Sequence, residues 1–174
     1  MLVLEQFVAA VQARLIAVNC CAGRVEKNAG MPTDDATLPF ADIFVAKDSA
    51  VPDGDSRTGY PKFIHTTKLV VEITDKANDG PELKTKLATH GELVLAALLS
   101  DLRWGDPVLE GIAGVDQTYN QPPDGNHTLG AVQIQIDLLW RSAWPPITST
   151  LPSFAGVTIN AGNGIGATVP VPTT

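Results

Sequence analysis

Two cysteines are all that this 174-residue chain contains, and they are adjacent, Cys20 and Cys21. Neighbouring cysteines form a strained ring when bonded to each other. The pair therefore reads as two reduced thiols at the end of a helix, packed like small hydrophobes. A framework of disulfide staples is excluded, and a cytosolic origin fits. Clusters of basic residues are also missing. The 12 Lys and Arg are scattered along the chain and the formal net charge is −7, whereas a simple nucleic-acid binder needs grouped cations for phosphate. No apolar run approaches the ~20 residues of a membrane span. Glu5 and Arg14 interrupt the first apolar stretch and no basic region precedes it, so no signal peptide is expected. Asn126-His127-Thr128 matches a glycosylation sequon, which without a secretion signal reads as coincidence.

Motifs that carry chemistry are equally scarce. Asp53-Gly54-Asp55 opens like a calcium loop, but Arg57 stands where the third oxygen ligand belongs. His65, His90 and His127 fall in three different elements, with no HxxxH or HExxH spacing, which argues against zinc. His65 reads as cross-strand packing and His90 as a helix-face residue. No Ser has a GxSxG context. Gly162–Gly166 is glycine-rich, yet no Lys-Ser/Thr follows and no strand-to-helix context surrounds it, so it is not a phosphate loop. Asp34 and Asp35 read as solvated loop acids. Trp104, Trp140 and Trp144 sit at element ends, as packing residues do. The expectation is a chain with no catalytic residue, no cofactor and no metal, and not an enzyme.

What is present is a set of unusually long elements. Phe63–Thr74 alternates, with Phe63, His65, Thr67, Leu69, Val71 and Ile73 on one face. His127–Arg141 alternates too, placing Val132, Ile134, Ile136, Leu138 and Trp140 together. Strands of this length exceed the usual five or six residues and suit a sheet that reaches past one small core. Between them, Pro81–Leu102 has a wide apolar stripe of helical period, Asp79 as N-cap and Glu82 in the first turn. Gly91 lies near that stripe and is explained by close packing on the sheet. An amphipathic helix is predicted over Leu2–Val18, with Asn19 and Gly23 as stop signals. Short strands are predicted at Arg24–Asn28 and Phe40–Ala46, and a third candidate at Gly111–Asn120 forms a hairpin with His127–Arg141 across the Pro122–Asn126 turn. The fold class is α+β: a mixed, mainly antiparallel sheet packed against two amphipathic helices, with an extended C-terminal arm.

Two segments stand apart from that domain, which ends near Pro146. Lys47–Tyr60 has two Gly, a Pro and three Asp with no periodicity, and is predicted to be a long loop that acts as an interaction arm. Its candidate contact residues are Asp53, Asp55, Arg57 and Tyr60. Ile147–Thr174 contains no charged residue. It cannot build a core alone, but Phe154, Val157 and Ile159 have the character of an extended strand added to a neighbour's sheet. A floppy tail is the competing expectation.

The order of these elements resembles a known family. The helix at the N-terminus, the strand at Phe40–Val45 with its loop, HTTKLVVEITDKA at His65–Ala77, LATHGELVLAALLSD at Leu87–Asp101 and GAVQIQIDLLWRS at Gly130–Ser142 are similar to the tail terminator proteins of long-tailed bacteriophages. These are also called tail-tube capping or U-like minor tail proteins. The resemblance covers Met1–Ser142 and leaves out the tail after Trp144. It implies a non-enzymatic virion protein that forms a hexameric ring on the head-proximal end of the tail tube. Such a ring stops tube polymerisation and offers a surface to the neck. The implied partners are further copies of the chain, the tail tube protein and a neck or head-completion protein, with DNA passing through the lumen. A neck or head–tail joining protein of the same particle is the nearest alternative. A cytosolic small-molecule-binding or enzymatic α+β domain is the more distant one.

Overall fold

The computed structural model describes residues 3–30, 35–54, 61–120, 129–143, 157–161 and 165–169, the last two stretches as backbone only. The chain divides into two units, Met1–Trp144 and Pro145–Thr174.

The first unit holds helix α1 (Val3–Ala17), strands β1 (Val25–Lys27), β2 (Phe40–Pro52) and β3 (Lys62–Lys76), helix α2 (Gly80–Leu99), and strands β4 (Leu109–Asn120) and β5 (Leu129–Ala143). The five strands form one sheet in the order β1-β2-β3-β5-β4. Only the short β1–β2 pair is parallel; the rest is antiparallel. The fold class is therefore the predicted one.

Alternation along the strands decides the layers. Ala41 and Ile43, Leu69, Val71 and Ile73, and Val132 through Trp140 at every second position all enter one core. Phe7, Val8, Val11 and Leu15 of α1 and Leu83, Leu87, Val94 and Leu98 of α2 complete it. Both helices thus pack on the same face of the sheet. Twelve of these side chains are bulky and essentially inaccessible, Ile134, Ile136 and Leu87 among them. Burial of that kind supplies roughly 1.5–3 kcal/mol per side chain before entropy is counted.

Helix α2 starts where the sequence predicts. The Asp79 carboxylate accepts from the Glu82 backbone N–H at 2.8 Å, and Glu82 reaches back to the Asn78 N–H at 3.1 Å. The helix stops at Leu99, three residues short of expectation. Asp101 takes an extended conformation and caps a separate 3-10 turn, Leu102–Gly105, by accepting from the Arg103 N–H. The apolar Leu102 therefore belongs to a new turn, and it is exposed. Gly91 faces β4 as anticipated: a Cβ there would sit 3.3 Å from the Gln117 side-chain nitrogen.

Strand β2 departs most from the sequence reading. The predicted strand ended at Ala46 and a loop began at Lys47. In the structure the strand runs on to Pro52, paired residue by residue with β3 from Lys47↔Lys68 to Pro52↔Phe63. A register shift between Val45 and Lys47 absorbs the break in alternation. Such a bulge lets a polar, aperiodic segment continue a ladder, because the partner strand supplies the order that local propensity lacks.

The second unit contains β6 (Val157–Ala161) and β7 (Ile165–Val169), joined as an antiparallel hairpin from Val157↔Val169 to Ala161↔Ile165.

Candidate assembly surface

The apolar core ends at Leu69 on β3 and at Trp140 on β5, yet both strands continue. Beyond that line the same face of the sheet turns polar. Asp48, Thr67, His65, Trp140 and Ser142 come from three neighbouring strands and form one hydrogen-bonded chain. Trp140 Nε1 donates to Thr67 Oγ1 at 2.8 Å. Thr67 Oγ1 donates to Asp48 Oδ1 at 2.6 Å. Asp48 Oδ2 lies 3.0 Å from His65 Nδ1, and His65 Nε2 lies 2.8 Å from Ser142 Oγ. A carboxylate can only accept, so Nδ1 carries a proton; where Nε2 carries none, it accepts from the Ser142 hydroxyl. The imidazole is stacked flat on Trp140 at 3.8 Å between centroids, 17° from parallel. Phe7 of α1 meets the same indole edge-on at 6.3 Å.

The order Asp48–His65–Ser142 reproduces the hydrogen-bond sequence of a nucleophile, its base and an orienting acid. Each member here is also a cross-strand neighbour in a regular ladder, with Asp48 opposite Thr67, His65 opposite Trp140, and Ser142 opposite Phe63. The cross-strand packing expected of His65 is therefore present. The relay was not legible in the sequence, because its hydrogen bonds join residues 17 and 77 positions apart.

The opposite face carries polar pairs between strands. Lys68 bonds Asp137 at 3.3 Å, and the Gln133 amide donates to Glu72. At the far end Arg141 sits between two acids, 3.1 Å from Asp53 and 3.3 Å from Glu110. Asp53, a predicted partner contact, is thus held by its own domain just past β2, with its side chain still about a third exposed. Asp55, Arg57, Tyr60 and Phe154 lie outside the described residues. Val157 and Ile159 fall on β6, opposite Val169 and Ala167 of the hairpin.

The sheet has two outer edges. Strand β4 pairs only with β5, and β2 is flanked by β1 only at Ala41–Ile43 among the described residues. Register shifts disturb β4 up to Gly114, after which Val115–Asn120 is regular. Val115 and Tyr119 in that stretch are exposed. A long regular edge is a template for another strand unless it is covered. A cleft of ≈ 430 Å³ lies elsewhere, lined by Leu4, Glu5, Val8, Lys27, Asn28 and Val45.

No helix among the described residues is long and apolar enough to cross a membrane. Neither a family model nor a curated protein matches the chain. Among solved structures, a chain from the virion of a native gene transfer agent particle aligns with a TM-score of 0.40 at 14% identity, over 77% of this chain and 93% of that one.

Proposed function

We propose that the chain is a structural virion protein that caps the head-proximal end of a phage tail tube as a ring, ends tube polymerisation and presents a surface to the neck. The observation that carries this reading is the sheet that outruns its core: strands of 12 to 15 residues whose outer edges at Val115–Asn120 and along β2 are left to pair. In a ring, edges and far ends of neighbouring sheets meet, and each subunit covers what the next exposes. The resemblance of His65–Ala77, Leu87–Asp101 and Gly130–Ser142 to tail terminators supports the same reading. The relay at Asp48, His65 and Ser142 then serves to order the polar end of the sheet, and the protein performs no catalysis.

Electron microscopy of particles made without this protein tests the proposal. Overlong tails support it. Tails of normal length that fail to join heads would instead favour the neck or head–tail joining role, and normal tails on DNA-filled heads would rule out both. The enzymatic alternative has the relay geometry on its side. Covalent capture of Ser142 by a fluorophosphonate, lost in His65→Ala, would establish it and sink the purely structural role.

A further inference from the structure

Cys20 and Cys21 follow α1, and His90 lies on α2, some seventy positions later. The fold brings them together: one ligand atom from each lies within 4.8 Å of the others. Both thiols are buried and free, and their sulfurs are 3.7 Å apart. Two thiolates bound to one tetrahedral Zn²⁺ at about 2.3 Å each lie about 3.8 Å apart, so the pair already spans one edge of such a site. The buried Asp75 at the end of β3 accepts from His90 Nε2, Oδ2 being 3.2 Å away. A carboxylate in that position orients a ligating imidazole and raises its basicity. The turn that presents the thiols is unusual as well. Cys21 and Ala22 have φ of 50° and 55°, ahead of Gly23 at 80°, a left-handed region that L-residues rarely adopt.

We propose that Cys20, Cys21 and His90 form a binding site for Zn²⁺, with Asp75 positioning the histidine. Two sulfurs and an imidazole nitrogen suit a borderline-soft d¹⁰ cation and disfavour Mg²⁺ or Ca²⁺, which take oxygen. Three protein ligands leave the fourth tetrahedral position to a water, and the bound metal ties the turn after α1, which lies against the apolar core, to α2 and to the end of β3. The inference stands independently of the role in a tail, since it needs only one folded copy.

The experiment uses the full chain, reduced and stripped of metal, titrated with Co²⁺ and then with Zn²⁺. One equivalent of Co²⁺ is expected to produce thiolate charge-transfer absorption and the visible bands of a tetrahedral centre, both erased by Zn²⁺. Zn²⁺ should also raise the melting temperature, because it binds only the folded form tightly. Asp75→Asn should weaken Zn²⁺ binding by about 10–100-fold, and Cys20→Ser should abolish the bands. His90→Gln, at a half-buried position that leaves the thiols in place, serves if the cysteine variants do not fold; it too should lose the tetrahedral spectrum. Absence of the bands in the unmodified chain would overturn the proposal. So would bands that persist unchanged in Cys20→Ser/Cys21→Ser or in a folded His90→Gln protein.

Discussion

The two halves of the central sheet are built from the same strands and differ in what their inward faces carry. In one half Leu69, Val71 and Ile73 pair with Ile136, Ile134 and Val132, beneath the buried stripes of both helices. In the other, Thr67, His65 and Phe63 pair with Leu138, Trp140 and Ser142, and Asp48 closes the network from β2. The first half is held by apolar burial, which is non-directional and tolerates sliding until packing locks it. The second keeps Leu138 and Trp140 in the core and adds directional hydrogen bonds, which lock register at once but contribute only about 0.5–1.5 kcal/mol each. Trp140 joins the two, stacked on His65 and touching Phe7. A sheet stabilised at one end and specified at the other suits a subunit that folds alone and presents its far end to others.

The largest effect is expected from a cut into the apolar half. Ile134→Ala, at a fully buried position, should cost about 2–5 kcal/mol from lost burial and the cavity left behind, measured by urea unfolding. A loss below 1 kcal/mol would mean that this half does not carry the stability.

Next in size is Thr67→Val. The hydroxyl serves both Trp140 and Asp48, and losing it strands a buried indole N–H. A loss of about 1–3 kcal/mol is expected, with Thr67→Ser recovering most of it. A Thr67→Val protein as stable as the parent chain would show that the hydroxyl's two hydrogen bonds do not hold that half.

Smaller still for stability is the far end. Asp53→Ala removes a half-exposed ion pair with Arg141 and should change unfolding by no more than about 1 kcal/mol. Truncation after Pro146 should likewise spare folding. On the proposed function, both should reduce ring formation on tail tubes, read by native mass and microscopy. A truncated chain that no longer folds would show that Ile147–Thr174 is needed by the first unit.

The smallest effect lies in acid. Arg103 hydrogen bonds hold the Asp101 carboxyl down to about 2, with Arg14 adding to the same field. A depressed carboxyl contributes stability above its unfolded value, near 3.8, and loses it as the pH falls toward 2. Asp101→Asn should flatten the stability profile slightly between those pH values and leave it unchanged in slope near neutrality. No difference from the parent chain across that window would show that the pair does not couple to folding.

The cysteine pair illustrates how little of the chemistry was legible. That the thiols are unbonded and buried at the end of α1 follows from their adjacency and from the helix stop at Asn19. The hydrogen bond between them pulls the Cys20 thiol down, while the same contact and burial push Cys21 up. None of this places His90 beside them. Histidines in separate elements argue against zinc only if those elements stay apart, and α2 crosses the sheet next to the turn. The loop expected at Lys47–Pro52 failed for a related reason: its residues carry no strand signal, and β3 imposes one.

Local pattern was enough to place the long strands β3 and β5 with their inward faces, the two helices and the cap at Asp79, and to mark Gly91 for close packing. Each of these is local: a period of 2 or 3.6, a capping side chain, a missing Cβ. The tertiary structure alone decided that both helices share one face, that β2 extends to Pro52, that Asp48, His65 and Ser142 line up, and that Cys20, Cys21 and His90 converge. Those features depend on strand order and register. They come from summed burial across distant segments, and no window of the chain contains both partners of any such contact.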